Sequence, residues 1–127
     1  MKHSNPRIVC DLDGTLTIDD KTVEYADKLP NQEFIASLKK YHRDGFEIVI
    51  STSRNMKTFD GNEGKISKET LPVILDWLKK HNIPFDEIYI AKPWCGDDGF
   101  YVDDRAIRPN EFLSLSYSEI KILLEID

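Results

Sequence analysis

The chain has 127 residues, which fits one compact domain over 1–127 with a core of ordinary size. Hydrophobic residues make up 40% and charged residues 31%, a globular balance that excludes disordered and fibrous classes. A net charge of −6 argues against the basic surface nucleic acid requires, and no apolar run approaches the roughly 20 residues that span a bilayer, so neither partner is expected.

The N-terminus "MKHSNPR" runs straight into a strand-like segment rather than the apolar region of a signal peptide, which predicts a cytoplasmic location. "RIVCDL" reads as a buried strand, because its apolar residues run together as they do when both faces of a sheet are covered. Cys10 inside it reads as core. Cys95 has no CxxC partner, so two free thiols are expected. Residues 14–30 are polar and mixed, long enough for a hairpin or flap. "NQEFIASLKKYHRDG" then places Phe34, Ile35, Leu38 and Tyr41 on one helical stripe that stops at Gly45. "FEIVIST" predicts a second buried strand. After a polar loop, "SKETLPVILDWLKKHN" predicts a helix with Leu71, Ile74, Leu75 and Leu78 on one face, Pro72 in its first turn and Asn82 at its end. "EIYIA" and "FYV" are expected as third and fourth strands, and Ser116 with Glu119 forms a capping-box pattern before a last helix.

Strands separated by helices predict an α/β fold: a three-layer sandwich around a mainly parallel Rossmann-like sheet, joined by right-handed crossovers. In such sheets ligands bind beyond the carboxyl ends of the strands. The four expected strand ends carry Asp11-Leu12-Asp13-Gly14, Ser51-Thr52-Ser53-Arg54, Lys92-Pro93 and Asp103-Asp104. Carboxylates crowded at one rim repel unless a cation intervenes. Hard oxygen ligands from Asp11 and Asp103, with a backbone carbonyl and waters, suit Mg²⁺. A phosphate brought to that metal could be held by the Thr52 hydroxyl, loop amides and the Lys92 ammonium. One aspartate could then attack to form an aspartyl-phosphate, while Asp13 serves as acid and base. Gly14 lets the chain turn sharply between them.

"VCDLDGTLT", "IVISTSR", "AKPW" and "YVDDR" resemble, in order, the four motifs of the haloacid dehalogenase superfamily of phosphohydrolases, covering residues 8–105. The resemblance implies Asp11 as nucleophile, Asp13 as acid/base, Thr52 and Lys92 as phosphate binders, and Asp103 as a Mg²⁺ ligand supported by Asp104. Asp11 and Asp13 complete the acidic metal set. Ser51 competes with Thr52 for the second-motif hydroxyl; Thr52 puts Arg54 where members with a T-x-R pattern carry it, as a further substrate-binding group. Relatives that cleave carbon–halogen bonds lack the second aspartate, so Asp13 points to phosphoryl chemistry. Neither residues 14–30 nor residues 53–67 have room for a large cap domain, and the chain looks like a capless member. "STSRNMKTFDGNEGKI", "LPVILDWLKKHNIPFDEIYIAKPWCG" and "GFYVDDRAIRPNEF" look most like small phosphatases of capsule polysaccharide biosynthesis, which implies a small phosphorylated substrate such as a sugar phosphate. Capless relatives often cover the open site with a neighbour, which implies a homo-oligomer joined through residues 14–30 or 53–67.

Other readings of the same residues are weaker. "DLDGTLTIDD" has Leu16 where a calcium loop needs glycine, and "GNEGK" has its glycines too close for a P-loop. Neither cysteine has an arginine six residues on, so a cysteine-phosphatase loop is missing. His42 and His81 fall at helix ends, where the dipole favours them. Trp94, Cys95 and Phe100 either line a leaving-group pocket or pack in the core; Arg54, Lys57 and Arg105 either add charge to the site or are ordinary surface. Two alternatives from other classes are a phosphate-receiving signalling domain and a non-catalytic binding module. A receiver carries its acidic pair at the first strand and a lone aspartate at the third, whereas here the pair comes last.

Overall fold

The apolar run after Pro6 forms β1, Arg7–Cys10, the first of three parallel strands, with β2 at Glu47–Ser51 and β3 at Glu87–Tyr89 in the order β1-β2-β3. The computed structural model describes residues 5–127, so the start of the "MKHSNPR" stretch lies outside the described residues. The chain separates into two compact units, one running to Trp94 and the other covering Cys95–Asp127.

In the first unit the register pairs Cys10 with Ile50 and Ser51 with Tyr89, so all three strands end at one edge. Ile48, Val49 and Ile50 of β2 are buried, as expected of a central strand. β1 departs from the expectation of a strand covered on both faces. It lies at the edge of the sheet, where Cys10 is buried but Val9 is 63% exposed.

The helix α1, Gln32–Arg43, starts where the Asn31 side chain accepts the Phe34 N–H (3.3 Å), and it buries Phe34, Ile35 and Leu38. Gly45 follows at φ 100°, the left-handed conformation that lets the chain reverse into β2. The second helical run begins earlier than its periodicity predicts. Asn62 caps α2, Glu63–Lys65, a π turn follows over Ile66–Thr70, and α3 spans Leu71–Lys80 with Pro72 in its first turn. Ile74, Trp77 and Leu78 form its buried face. Leu75 is exposed, contrary to the predicted stripe, because Trp77 turns inward to donate from Nε1 to the Lys28 carbonyl (2.8 Å). That bond ties the 14–30 segment to α3. The segment itself is a flap of turns, with a single bridge between Thr17 and Pro30 and a short 3₁₀ turn at Tyr25–Asp27.

In the second unit α4, Pro109–Ser114, is followed by α5, Tyr117–Leu123. The capping box forms as predicted: Ser116 Oγ accepts the Glu119 N–H (3.2 Å) and Glu119 Oε1 accepts the Ser116 N–H (2.9 Å). The expected fourth strand does not form. Phe100, Tyr101 and Val102 are exposed, and this unit holds no other strand whose backbone could pair with theirs. The result is a small α/β protein with a parallel three-stranded sheet, helices and no large cap. No helix among the described residues is long and apolar enough to cross a membrane.

Candidate active site

Where β1 ends, the chain leaves the sheet through Asp11, Leu12, Asp13 and Gly14. Leu12 is fully buried, and its carbonyl accepts the N–H groups of Thr15, Leu16 and Thr17 (3.3, 2.9 and 3.0 Å). This tight coil needs Gly14 at φ 81°, a conformation that a side chain makes costly. Anchored by buried Leu12 and Leu16, it leaves the flanking carboxylates facing outward.

Asp11 and Asp13 are both half-buried, at 38% and 28% side-chain exposure. Burial pushes the Asp11 carboxyl above the ordinary carboxylate range; Lys92, the Leu12 N–H and the Thr15 hydroxyl oppose that shift, while the charge of Asp13 adds to it. Lys92 Nζ lies 3.9 Å from Asp11 Oδ1. The lysine is delivered by an unusual turn. Beyond β3, Ala91 adopts φ 64°, and the Lys92 N–H then donates to the Thr52 carbonyl (3.1 Å). A left-handed alanine stores backbone strain, a feature that clusters at functional sites.

Thr52 stands just past the end of β2, 1% exposed, its N–H bonded to the Tyr89 carbonyl (2.9 Å). Its Oγ1 accepts the Arg54 N–H (3.1 Å), so the hydroxyl hydrogen can donate to an anion. Ser51 is the last residue of β2 and half-buried.

Arg54 does not point at open solvent. Its Nε and Nη2 donate to Asp13 Oδ2 and Oδ1 at 2.9 and 2.8 Å, and its side chain is only 1% exposed. Thr17 Oγ1 also donates to Asp13 Oδ1 (3.4 Å) while accepting the Gly14 N–H (3.3 Å). The Tyr25 ring lies over the guanidinium, 4.2 Å from ring centroid to Cζ. Burial raises the Tyr25 phenol above its usual value, and Asp13 adds to the shift.

Two cavities flank these groups. One of about 440 Å³ is lined by Asp13, Asp19, Lys21, Thr22, Val23, Glu24, Tyr25 and Lys28, and is large enough for a small metabolite. Another of about 270 Å³ lies behind Arg54, against Asn55, Phe59, Thr70 and Val73. The structure thus brings Asp11, Asp13, Thr52, Arg54 and Lys92 to one edge of the first unit. Asp103 and Asp104 belong to the second unit, in a loop that turns at Asp104 rather than at a strand end, with Asp103 Oδ1 accepting the Arg105 N–H (2.8 Å). Trp94 is 46% exposed and lines neither cavity. His42 and His81 sit at helix ends, as their sequence positions suggest, and His81 packs on Trp77 (4.6 Å).

Sequence reasoning missed Thr15, Thr17, Tyr25 and Lys28. Thr15 and Thr17 carried a usable signal: polar residues at alternate positions after Asp-Leu-Asp-Gly are buried at 8% and 1% exposure, and their hydroxyls serve the two carboxylates. Tyr25 and Lys28 carried none, since their roles depend on how the flap folds back.

The donor set suits a hard cation. No group of three or more His, Cys, Asp or Glu side chains forms a cage among the described residues. Mg²⁺ does not require one, because it commonly binds through one or two carboxylates and keeps several waters.

Residues 8–61 match the family model of haloacid dehalogenase-like hydrolases. The crystal structure of an MCSG target from Vibrio cholerae is 55% identical, with 94% of this chain and 97% of that one covered and a TM-score of 0.91. A chain of the Pnkp1/Rnl/Hen1 complex shares the fold at 24% identity and a TM-score of 0.53, covering 89% of this chain and 36% of that one. Among curated proteins there is no match.

Proposed function

Because the chain belongs to the haloacid dehalogenase-like hydrolases, we propose that it is a Mg²⁺-dependent phosphatase that works through an aspartyl-phosphate on Asp11. The observation that carries this reading is the placement of Asp11: a half-buried carboxylate at the end of β1, 3.9 Å from the Lys92 ammonium and beside the Asp13 carboxylate held by Arg54. Asp11 attacks phosphorus. The leaving oxygen takes a proton from Asp13, and Asp13 then removes a proton from the water that cleaves the acyl phosphate. Thr52 Oγ1 and Lys92 Nζ bind the phosphoryl oxygens. Asp11 would hold Mg²⁺, with Asp13 as the acidic group beside it in the first unit and waters completing the shell. Bound there, the cation neutralises the crowded carboxylates and the phosphoryl charge.

The substrate we propose is a small phosphorylated metabolite, a sugar phosphate of capsule polysaccharide biosynthesis. The support is the resemblance of residues 51–66, 71–96 and 99–112 to such phosphatases and a cavity of matching size beside Asp13. Ile18 and Leu29, exposed at 48% and 66% on the flap, support self-association through residues 14–30. Phosphate release from a panel of phosphosugars, nucleotides and phospho-amino acids with Mg²⁺ tests the reading. Release by the wild type and none by Asp11→Asn supports it; equal rates from the two defeat it.

A further inference from the structure

We infer that Arg54 is a positioning residue for Asp13, rather than a substrate-binding group, and that Tyr25 is the flap residue that covers the guanidinium. This rests on the phosphatase reading above. The last torsion of an aspartate, about its Cβ–Cγ bond, has a broad preference, so a carboxylate at position 13 does not aim itself. The fork of Arg54 fixes it. Two parallel bonds at 2.8 and 2.9 Å, one to each oxygen, set both the place and the plane of the carboxylate.

The same bonds leave Arg54 poorly suited to hold a phosphate. Two of its donors are taken by Asp13, its Nη1 is buried without a partner, and the side chain is 1% exposed. An anion reaching the Nε–Nη2 edge of this guanidinium would have to displace Asp13. The rest of the setting stiffens the pair. The Arg54 backbone is bonded to Thr52 Oγ1, and Asn55 beside it, at φ 63°, accepts from Thr70 Oγ1 (2.7 Å), which the π turn places there. Tyr25 lies over the guanidinium at 4.2 Å and covers one of its faces. Strand ends one and two and the flap thus meet in a stack of Asp13, Arg54 and Tyr25. Its chemical purpose is to fix the place and plane of the carboxylate that exchanges protons with the leaving oxygen and the water.

An acid matters most for a poor leaving group, which gives a test that separates positioning from binding. The rates of wild type, Arg54→Lys, Tyr25→Ala and Asp13→Asn are compared on para-nitrophenyl phosphate, whose leaving group needs little protonation, and on glycerol phosphate, whose alkoxide needs it. Misplacing a reacting group by about 1 Å can cost on the order of a hundredfold. Arg54→Lys, which keeps the charge but loses the fork, is expected to lower kcat on glycerol phosphate by about tenfold to a hundredfold. On the nitrophenyl ester the loss is several times smaller, with KM within about twofold on both. In the Asp13→Asn background, Arg54→Lys is expected to add little further loss. Tyr25→Ala, which alters only the flap, should show the same leaving-group pattern to a smaller degree, and it carries the test should Arg54→Lys not fold. A rise in KM with kcat retained, equal for both esters and additive with Asp13→Asn, would overturn the inference. A wild type that hydrolyses neither ester would instead defeat the phosphatase reading.

Discussion

Replacing Asp13 by Asn is expected to weaken the fold as well as the chemistry. The Arg54 side chain is 1% exposed and Asp13 is its counter-ion through two bonds, so the substitution leaves a buried guanidinium without balancing charge. Removing one partner of a buried pair costs about 3–5 kcal/mol. Asp13 is itself 28% exposed and an asparagine keeps one acceptor oxygen, which lowers the expected loss to about 2–3 kcal/mol. Against a total stability of roughly 5–15 kcal/mol this is a large share. With a urea slope of about 2 kcal/mol per molar, the unfolding midpoint should fall by about 1 M. Circular dichroism in urea reads it directly. Arg54→Met added to Asp13→Asn should recover part of the loss, because the orphaned charge goes with it, and the double-mutant cycle then shows a coupling of more than about 1 kcal/mol. An Asp13→Asn protein with an unchanged midpoint, or additive single substitutions, would refute the claim that this pair is a buried, interdependent unit.

Asp11 should behave in the opposite sense. Its carboxyl is raised by burial and by Asp13, so in metal-free protein the ionised form carries a penalty that is fully present above the raised value and disappears as pH falls below the ordinary 3.8. Asp11→Asn is therefore expected to melt at a higher temperature than wild type in chelator at neutral pH, with the gap narrowing on acidification; a lower melting temperature at neutral pH would contradict this. Cys10 is raised from 9.0 to about 12 chiefly by burial. Its neutral thiol is favoured, so it contributes full stability below pH 9 and loses it as pH rises towards 12, and native protein at pH 8 should protect it from a thiol reagent that labels it in urea. Trp77→Phe deletes the donor to the Lys28 carbonyl and is expected to cost about 1–3 kcal/mol and to raise proteolytic cleavage within residues 18–29. Unchanged cleavage would mean that the flap is held elsewhere.

Much of the fold was legible because it depends on local signals. The Ser116–Glu119 box, the Asn31 cap and Gly45 each act within a few residues, and the apolar run 48–50 tolerates only a central strand. What could not be read depends on partners distant in sequence. "FYV" has strand-forming residues, yet a strand exists only when another backbone pairs with it. Leu75 fits the helical period as well as Trp77 does; the choice is made by the Lys28 carbonyl, 49 positions away. The site shows the same division. Asp11, Asp13, Thr52 and Lys92 are marked by their places after strands. Arg54 was visible as a cation, but only its bonds to a residue 41 positions earlier show that its charge is already taken by Asp13.

The covalent role of Asp11 is open to direct capture. Borohydride added during turnover reduces an acyl phosphate to the alcohol, so an aspartyl-phosphate at position 11 would be converted to homoserine and read by peptide mass spectrometry. With a hydrolysed phosphomonoester and Mg²⁺, homoserine is expected at position 11 alone, lost when substrate is omitted. Turnover with no residue converted, together with full activity in Asp11→Asn, would contradict nucleophilic catalysis by Asp11.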